Sequence, residues 1–304
     1  MPFEAGLEKD LRAANLLPEK LEIGTKSRIG QTSLAIALGG LRTLVATFMN
    51  LRAFSFFEEQ KWDDVADTYD VIVDLSPHTI YYWDAGHAHS AYNAASYYIN
   101  DSTLPRLRRK QAWRESILHG RDFLLRGIDN NPDSWRLHAD LGFLLADPNK
   151  FRAFGDVNLS FANSAAAYGL AAQKPNALAY VSRMEFYSLA RVAGREKDAL
   201  ALGHRLYANP RNRTPTLQTL LLVLEAFADP DMDTAARAIE IYGTPEKAYD
   251  SLSAHWQRTR ERFPVYGVAK TLKALEKILK ITVDKSILNQ PLPPPVGPDE
   301  WFSK

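Results

Sequence analysis

Apolar residues recur along the chain at spacings that place them on one face of a helix. In the segment from Trp62 to Pro77, the side chains of Val65, Tyr69 and Ile72 are spaced by four and then three residues, and Pro77 follows five residues later. Residues at these spacings share one helix face. A proline beyond the last turn ends a helix, because it lacks the amide donor and clashes with the preceding turn. The segment therefore predicts a helix with one buried face that stops before Pro77.

The same pattern returns further along the chain and predicts a repeat. The later copies are Gly120, Leu124, Gly127 and Pro132; Asn163, Ala167, Leu170 and Pro175; and Ala199, Gly203, Leu206 and Pro210, the last being one residue shorter. Small residues at these positions let a neighbouring helix approach closely. The closing prolines are separated by 55, 43 and 35 residues. The two larger separations predict insertions or longer helices, which we place around Tyr98 to Lys110 and around Ala146 to Asn158.

The segments on either side of the repeat also predict helices. From Gln31 to Gln60 the apolar spacing suits one long helix, or two helices that meet near Gly39-Gly40. Residues 1–30 predict an irregular or partly helical lead-in. Thr244-Pro245 is a typical helix start, with threonine as the cap and proline in the first turn. The segment from Val265 to Lys280 predicts a last helix with one apolar and one basic side. The apolar side carries Leu272, Leu275, Ile278 and Leu279, and the basic side carries Lys270, Lys273, Lys277 and Lys280.

The residues that follow this helix predict an extended tail. The stretch from Pro291 to Pro298 is rich in proline and cannot be helical. Trp301 and Phe302 close the chain and could anchor the tail in a groove of its own chain, bind a partner, or belong to a plain terminus. We therefore divide the sequence into a lead-in (1–30), a single repeat domain (31–280) and a proline-rich tail (281–304).

These segments resemble tetratricopeptide repeats, which alternate two helices and a closing proline with a period of about 34 residues. The resemblance covers residues 42–210 and, more loosely, residues 214–280. It implies an all-α fold, a right-handed solenoid of helical hairpins with a C-terminal capping helix. The chain is also similar to an uncharacterised bacterial repeat family of planctomycetes and verrucomicrobia. The segments that carry this similarity are Leu38-Gly39-Gly40-Leu41-Arg42, Asn50-Leu51-Arg52-Ala53 and Asn131-Pro132 with Leu141-Gly142. Members of that family often carry an N-terminal membrane anchor.

The resemblance implies that a protein or peptide partner binds in a concave groove lined by the first helix of each pair. The side chains that this implication assigns to the groove are Trp83, His87, Ser90, Asn93 and His138, with Asp140 close by. We therefore expect a non-enzymatic scaffold or adaptor of unknown partner. One alternative is a structural or spacer component of a bacterial cell-envelope assembly, in which the chain forms a homo-oligomer.

A second alternative is a helical metal-binding protein or enzyme centred on Asp84 and His87. Residues three apart share a helix face, so this pair could supply two metal ligands or an acid and a base. His89 points to another face and cannot join His87. The sequence contains no zinc motif with histidines four apart, no phosphate-binding glycine loop and no Gly-x-Ser-x-Gly elbow. We therefore assign no catalytic, metal-binding or cofactor-binding residue.

Charge and cysteine content narrow the classes of partner. The chain has 37 basic and 36 acidic residues, a balance that does not favour nucleic acid. The one dense basic cluster is Arg106, Arg108, Arg109 and Lys110, which could hold an acidic peptide but is more typical of a solvated helix start.

Cysteine is absent, which excludes disulfides and thiol catalysis. No secretory signal and no run of about 20 apolar residues is present, so we expect no membrane span and leave the compartment open.

Overall fold

The computed structural model describes residues 26–292, with the side chains of residues 39–292. This described part is all-helical and contains no strand, which confirms the predicted all-α class. In chain order the α-helices are α1 Lys26–Glu58, α2 Trp62–Leu75, α3 Ile80–Ala88, α4 Ala95–Asn100, α5 Arg106–Asn130, α6 Trp135–Ala146, α7 Phe151–Phe154, α8 Val157–Ala172, α9 Tyr180–Leu189, α10 Glu196–Tyr207, α11 Pro215–Ala228, α12 Thr234–Tyr242, α13 Pro245–Arg258 and α14 Val268–Ile278.

The first described helix, α1, is one continuous helix of 33 residues. Gly39-Gly40 lies inside it without a break, so the one-helix alternative is confirmed for this segment. The helix begins at Lys26, five residues before the predicted start at Gln31. Residues 1–25 of the predicted lead-in lie outside the described residues. Ala46 and Ala53 are buried on the side of α1 that packs on α2.

Helices that follow one another in the chain pack against one another. Contacts join α1 to α2, α2 to α3, α3 to α5, α6 to α8, α8 to α9, α10 to α11, α12 to α13 and α13 to α14. In addition, α3 contacts α6, which lies in the following pair. Most helices bury one face in these contacts, whereas α11 is buried on all sides over residues 219–224.

The spacing of four and three residues identifies the buried face in three of its four copies. Val65, Tyr69 and Ile72 are buried in α2, and so are the members of the copies in α5 and α10. A Cβ added at Gly120 would lie 2.7 Å from the Cβ of Ala91 and 3.0 Å from the backbone nitrogen of the same residue. The glycine is therefore required for the close approach of α5 to its neighbour, as predicted.

The third copy matches the buried face of α8 only at Ala167. Asn163 and Leu170 are exposed, and the buried residues that replace them in the contact are Ser160, Ser164 and Ala171. The hydroxyl of Ser160 donates to the carbonyl of Leu145 (2.7 Å), and that of Ser164 donates to the carbonyl of Gly142 (2.7 Å). Small serines can therefore face α6 because the carbonyl groups of that helix accept their protons.

Longer helices and a short extra helix account for the large separations between the closing prolines. After α3 the chain continues through a π-helical segment, His89–Ala94, directly into α4. The following helix, α5, has 25 residues. The second predicted insertion, Ala146 to Asn158, contains the short helix α7.

The predicted start of α13 is confirmed, whereas the segment after α14 differs from the prediction. Thr244 caps α13, where its hydroxyl oxygen accepts from the backbone of Lys247 (3.3 Å). Beyond α14, the predicted extended tail instead begins with two 3₁₀ turns, Val283–Lys285 and Ile287–Asn289. The buried Ser286 between them donates to the carboxylate of Glu276 (2.8 Å), which holds this segment on α14. Residues 293–304, with Trp301 and Phe302, lie outside the described residues.

Candidate functional site

Three of the predicted groove residues are core residues. Trp83, His87 and His138 are only 1%, 5% and 6% exposed. The indole nitrogen of Trp83 donates to the carbonyl of Pro77 (2.7 Å), and its ring lies 4.9 Å from that of Phe123. Large side chains at these positions fill the space between packed helices, so Trp83 and His87 do not present a surface to a partner, contrary to the prediction.

The other two predicted groove residues make contacts within the chain. Ser90 is buried, and its hydroxyl lies 3.0 Å from Nδ1 of His119. It forms part of the floor of a groove of about 560 Å³ between α2 and α5. Asn93 is half-buried, and its amide nitrogen lies 3.1 Å from Nδ1 of His89. Of these two, Ser90 is therefore the one placed beside an open space.

This α2–α5 groove is lined mainly by polar side chains that are already paired. Asp70 accepts from Arg126 (2.5 Å) and lies 3.6 Å from His119. The hydroxyl of Tyr98 donates to Asp63 (3.1 Å). Because these groups are paired within the chain, fewer of their hydrogen-bond donors and acceptors are available to a ligand.

A second groove, of about 490 Å³, lies between α5 and α8 and is apolar. His138 reaches its lining, together with Leu125, Leu141, Leu159 and Leu170. Leu170 therefore lines an exposed groove. The sequence pattern assigned it to the core because apolar residues at helical spacing are usually buried.

The first helices of neighbouring pairs combine aromatic and charged side chains on a third surface. We call it the Asp140 surface, and its members are Tyr81, Asp84, Arg136, Asp140, Phe143 and Tyr180. All of them are exposed except Asp140, which is half-buried. The ring of Phe143 lies 6.3 Å from Tyr92, and the ring of Tyr180 lies 6.3 Å from Trp135. Each of these two rings therefore has an aromatic neighbour within the chain.

Asp140 lies at the centre of this surface and has an altered ionisation. Burial raises the pKa of Asp140 to about 7, and the negative charge of Asp84 on α3 adds to the increase. The guanidinium of Arg136 acts in the opposite direction. Two carboxylates that repel one another while one of them is desolvated can both be stabilised by a cation placed between them. Sequence analysis noted Asp140 only as a neighbour of His138, because its surroundings depend on the packing of α3 on α6.

The pair predicted for metal or acid–base chemistry is present but isolated. Nδ1 of His87 lies 3.8 Å from Oδ1 of Asp84 and has no hydrogen-bond partner. Burial lowers the pKa of His87, which favours the neutral ring. Within the described residues, no group of three histidine, aspartate or glutamate side chains could hold a metal ion. A zinc site uses three or four protein ligands, and this pair supplies two.

The predicted basic cluster lies at the start of α5. Arg106 and Arg108 are exposed in its first turn, and Arg109 and Lys110 are half-buried. Arg108 donates to the side chain of Gln111 (2.9 Å). This position agrees with the interpretation of the cluster as a helix start.

One exposed surface was missed because its pattern resembles that of a core helix. Apolar side chains on α1 form what we call the α1 stripe, Leu41, Leu44, Val45, Phe48, Leu51 and Phe54. They are between 43% and 63% exposed. The apolar spacing of this segment predicts a helix. Periodicity alone, however, does not distinguish an apolar face that is buried within the chain from one that is exposed. A contiguous apolar surface of this kind is typical of a contact site.

Comparisons with protein-family models, with curated proteins and with solved structures find no match for this chain. The tetratricopeptide resemblance stays a prediction that rests on the sequence pattern. Among the residues that the structure describes, no helix combines the length and the apolar character needed to cross a bilayer.

Proposed function

We propose that this chain is a non-enzymatic protein-binding scaffold, a tetratricopeptide-like solenoid that holds a partner segment on the Asp140 surface. The observation that carries the proposal is the combination of exposed Tyr81, Phe143 and Tyr180 with the two carboxylates of Asp84 and Asp140. Exposed aromatic rings are enriched at protein interfaces, since they bury a large area for a small loss of side-chain entropy.

The helix packing supports the solenoid part of the proposal. Successive helices contact one another, and α3 of one pair contacts α6 of the next. Glycines lie where adjacent helices come closest, as at Gly120 and at Gly127 beside Trp83. In tetratricopeptide proteins the first helices line the binding groove, and the Asp140 surface is formed mainly by the helices that the sequence assigns to that role.

The charges of the surface indicate the chemistry of the partner. Asp84 and Asp140 favour a lysine or arginine side chain, because a cation offsets the burial and the repulsion by Asp84 that together raise the pKa of Asp140. Phe143 and Tyr180 favour an apolar side chain next to this cation. The proposed partner is therefore a protein segment with a basic residue adjacent to an apolar one.

A capture experiment with matched baits tests the proposal. Wild-type chain, Phe143→Ala and the double variant Asp84→Asn with Asp140→Asn are immobilised, and bound proteins are identified by mass spectrometry. Asp231→Asn serves as the control, because Asp231 is an exposed carboxylate in the loop between α11 and α12. We expect a partner that binds wild-type chain and Asp231→Asn and is lost from the other two baits. Equal capture by all four baits would place binding elsewhere and refute the Asp140 surface.

The α1 stripe favours a second candidate function, a structural unit that assembles through α1. Six large apolar side chains are exposed on one helix face, and the same face of a second copy could cover them in a two-fold contact. Sedimentation velocity at several concentrations compares wild-type chain with a Leu44→Gln, Leu51→Gln variant. A wild-type dimer that the variant loses supports assembly, whereas a wild-type chain that stays monomeric at every concentration rejects it.

A further inference from the structure

Arg191, in the segment between α9 and α10, is held between two aromatic rings. Its guanidinium carbon lies 4.1 Å from the ring centre of Phe161 and 4.8 Å from that of Phe263. Its Nε donates to the carbonyl of Tyr187 (3.0 Å). Contact with the two rings together with this hydrogen bond restricts the movement of the guanidinium.

This guanidinium has no anionic partner in the described part of the chain. Among the described residues, Nε makes the one hydrogen bond of this side chain, and Arg191 forms no ion pair with a carboxylate. Burial lowers the pKa of Arg191 to about 10, because it disfavours the charged form. A desolvated cation is unfavourable unless an anion compensates it. The two terminal nitrogens are therefore available for an anion that the chain itself does not supply.

Arg191 lines a cavity of about 410 Å³. Volumes of this order are typical of sites for small organic molecules. The cavity wall includes Val223, Leu224 and an aromatic pair, Phe227 and Tyr266, whose ring centres lie 5.4 Å apart. One end of the cavity therefore carries a cation, and much of the remaining wall is apolar.

Two glutamates at the same cavity limit the charge that it can accept. Glu196 and Glu261 line it together with Arg262. Glu196 is already engaged, since its carboxylate accepts from the backbone nitrogen of Gly194 (3.0 Å). The negative charges of the glutamates disfavour a dianion such as phosphate, whereas a single carboxylate matches the planar fork of one guanidinium.

We propose that this cavity is a binding site for a small carboxylate with an apolar body, held by the terminal nitrogens of Arg191 and by the aromatic wall. The site lies apart from the Asp140 surface in its lining residues, and it adds a small-molecule ligand to the proposed protein partner. The carboxylate can belong to a free acid or to the C-terminus of a peptide, because both present the same group.

Ligand-observed NMR with wild-type chain tests the charge requirement directly. The probes are phenylacetate and its uncharged analogue phenylacetamide, which share the ring and differ in the anion. A second pair, N-acetylphenylalanine and N-acetylphenylalanine amide, represents a peptide C-terminus. We expect each carboxylate that fits to bind about tenfold to a hundredfold more tightly than its amide, as a charge-assisted pair of hydrogen bonds implies. Equal binding of acid and amide, or no saturable binding by either acid, would overturn the proposal.

A variant of the arginine identifies the site. Arg191→Met keeps an unbranched apolar stem between Phe161 and Phe263 and removes the charge. We expect it to fold, to retain any weak binding of phenylacetamide, and to lose the preference for phenylacetate. Arg213→Met is the matched control, because Arg213 also stacks on a ring, that of Tyr207 (4.5 Å), and its Nε also donates to a backbone carbonyl (3.0 Å), but it does not line the cavity. If Arg191→Met keeps the preference, or if both variants lose it alike, the proposal is wrong.

Discussion

Replacing Asp140 with asparagine should make the protein more stable at neutral and alkaline pH. Asparagine has nearly the same shape as aspartate and cannot ionise, so the variant removes the charge that the fold disfavours. The pKa of Asp140 is raised from 3.8 to about 7. At ~1.4 kcal/mol per pKa unit, this increase corresponds to at most about 4 kcal/mol, and we expect about 1–3 kcal/mol because the carboxylate retains some solvent contact.

The pH dependence of this gain follows from proton binding. Between the unfolded and the folded pKa, the folded chain binds more protons than the unfolded chain, so the stability of the wild type falls as the pH rises through this window. The variant lacks this titration. Its advantage should be near zero below about pH 4, should grow from there, and should level off above about pH 7.5. The groups that face Asp140 from the neighbouring elements are Asp84, Tyr92, Tyr168 and Tyr180, with Arg136 on its own helix.

Urea unfolding followed by circular dichroism, at pH values from about 4 to about 8.5, measures the difference in free energy of unfolding. Asp231→Asn is again the control, and we expect it to shift the free energy by the same small amount at every pH. An Asp140→Asn variant that is less stable than wild type at pH 8, or whose difference from wild type does not change with pH, would refute the reasoning. The same variant should bind the proposed partner less well while it is more stable, which separates a binding role from a folding role.

Two further substitutions test the packing. Gly120→Ala should destabilise the fold by about 1–3 kcal/mol, because the added methyl meets Ala91 at 2.7 Å. Gly40→Ala, with nothing within 4 Å of the added methyl, should stabilise α1 by about 0.5–1 kcal/mol. Thermal unfolding of both variants checks the sign of each change. Ser286→Ala removes the donor to Glu276 and should accelerate tryptic cleavage of the segment after α14. An unchanged cleavage rate would show that this hydrogen bond does not hold the segment.

The helices and their spacing could be predicted because they depend on local periodicity. Val65, Tyr69 and Ile72 are buried as their spacing indicates, and Thr244 caps the helix that its position predicts. Such features depend on residues within about two turns of one another. They are therefore visible in a single sequence before any contact between helices is known.

The phase of α8 could not be predicted in the same way. Ser160 and Ser164 face a neighbouring helix, because carbonyl groups of Leu145 and Gly142 accept their protons. Periodicity treats serine as a surface residue and treats the exposed Leu170 as a core residue. The true face depends on partners about 15 to 22 residues away in sequence.

Three of the predicted groove residues, Trp83, His87 and His138, lie on helices that contribute to the Asp140 surface, but their side chains are buried. Trp83 and His87 fill the core, while Asp84, which directly follows Trp83, remains exposed on the Asp140 surface. A helix advances by about 100° per residue, so neighbouring positions separate a core side chain from a surface one. Family resemblance indicates which helix lines a groove, but packing decides which of its side chains reach the groove.

The two candidate contact surfaces of this chain differ in chemistry, and the difference indicates different kinds of partner. The α1 stripe is entirely apolar, so contact with a second apolar face can bury it without leaving a charge unpaired. The Asp140 surface carries two carboxylates among its aromatic rings, so a second copy of the same surface would bring like charges together. We therefore place the proposed self-association at α1 and not at the Asp140 surface. Substitutions at Leu44 and at Asp140 should consequently affect assembly and partner binding independently.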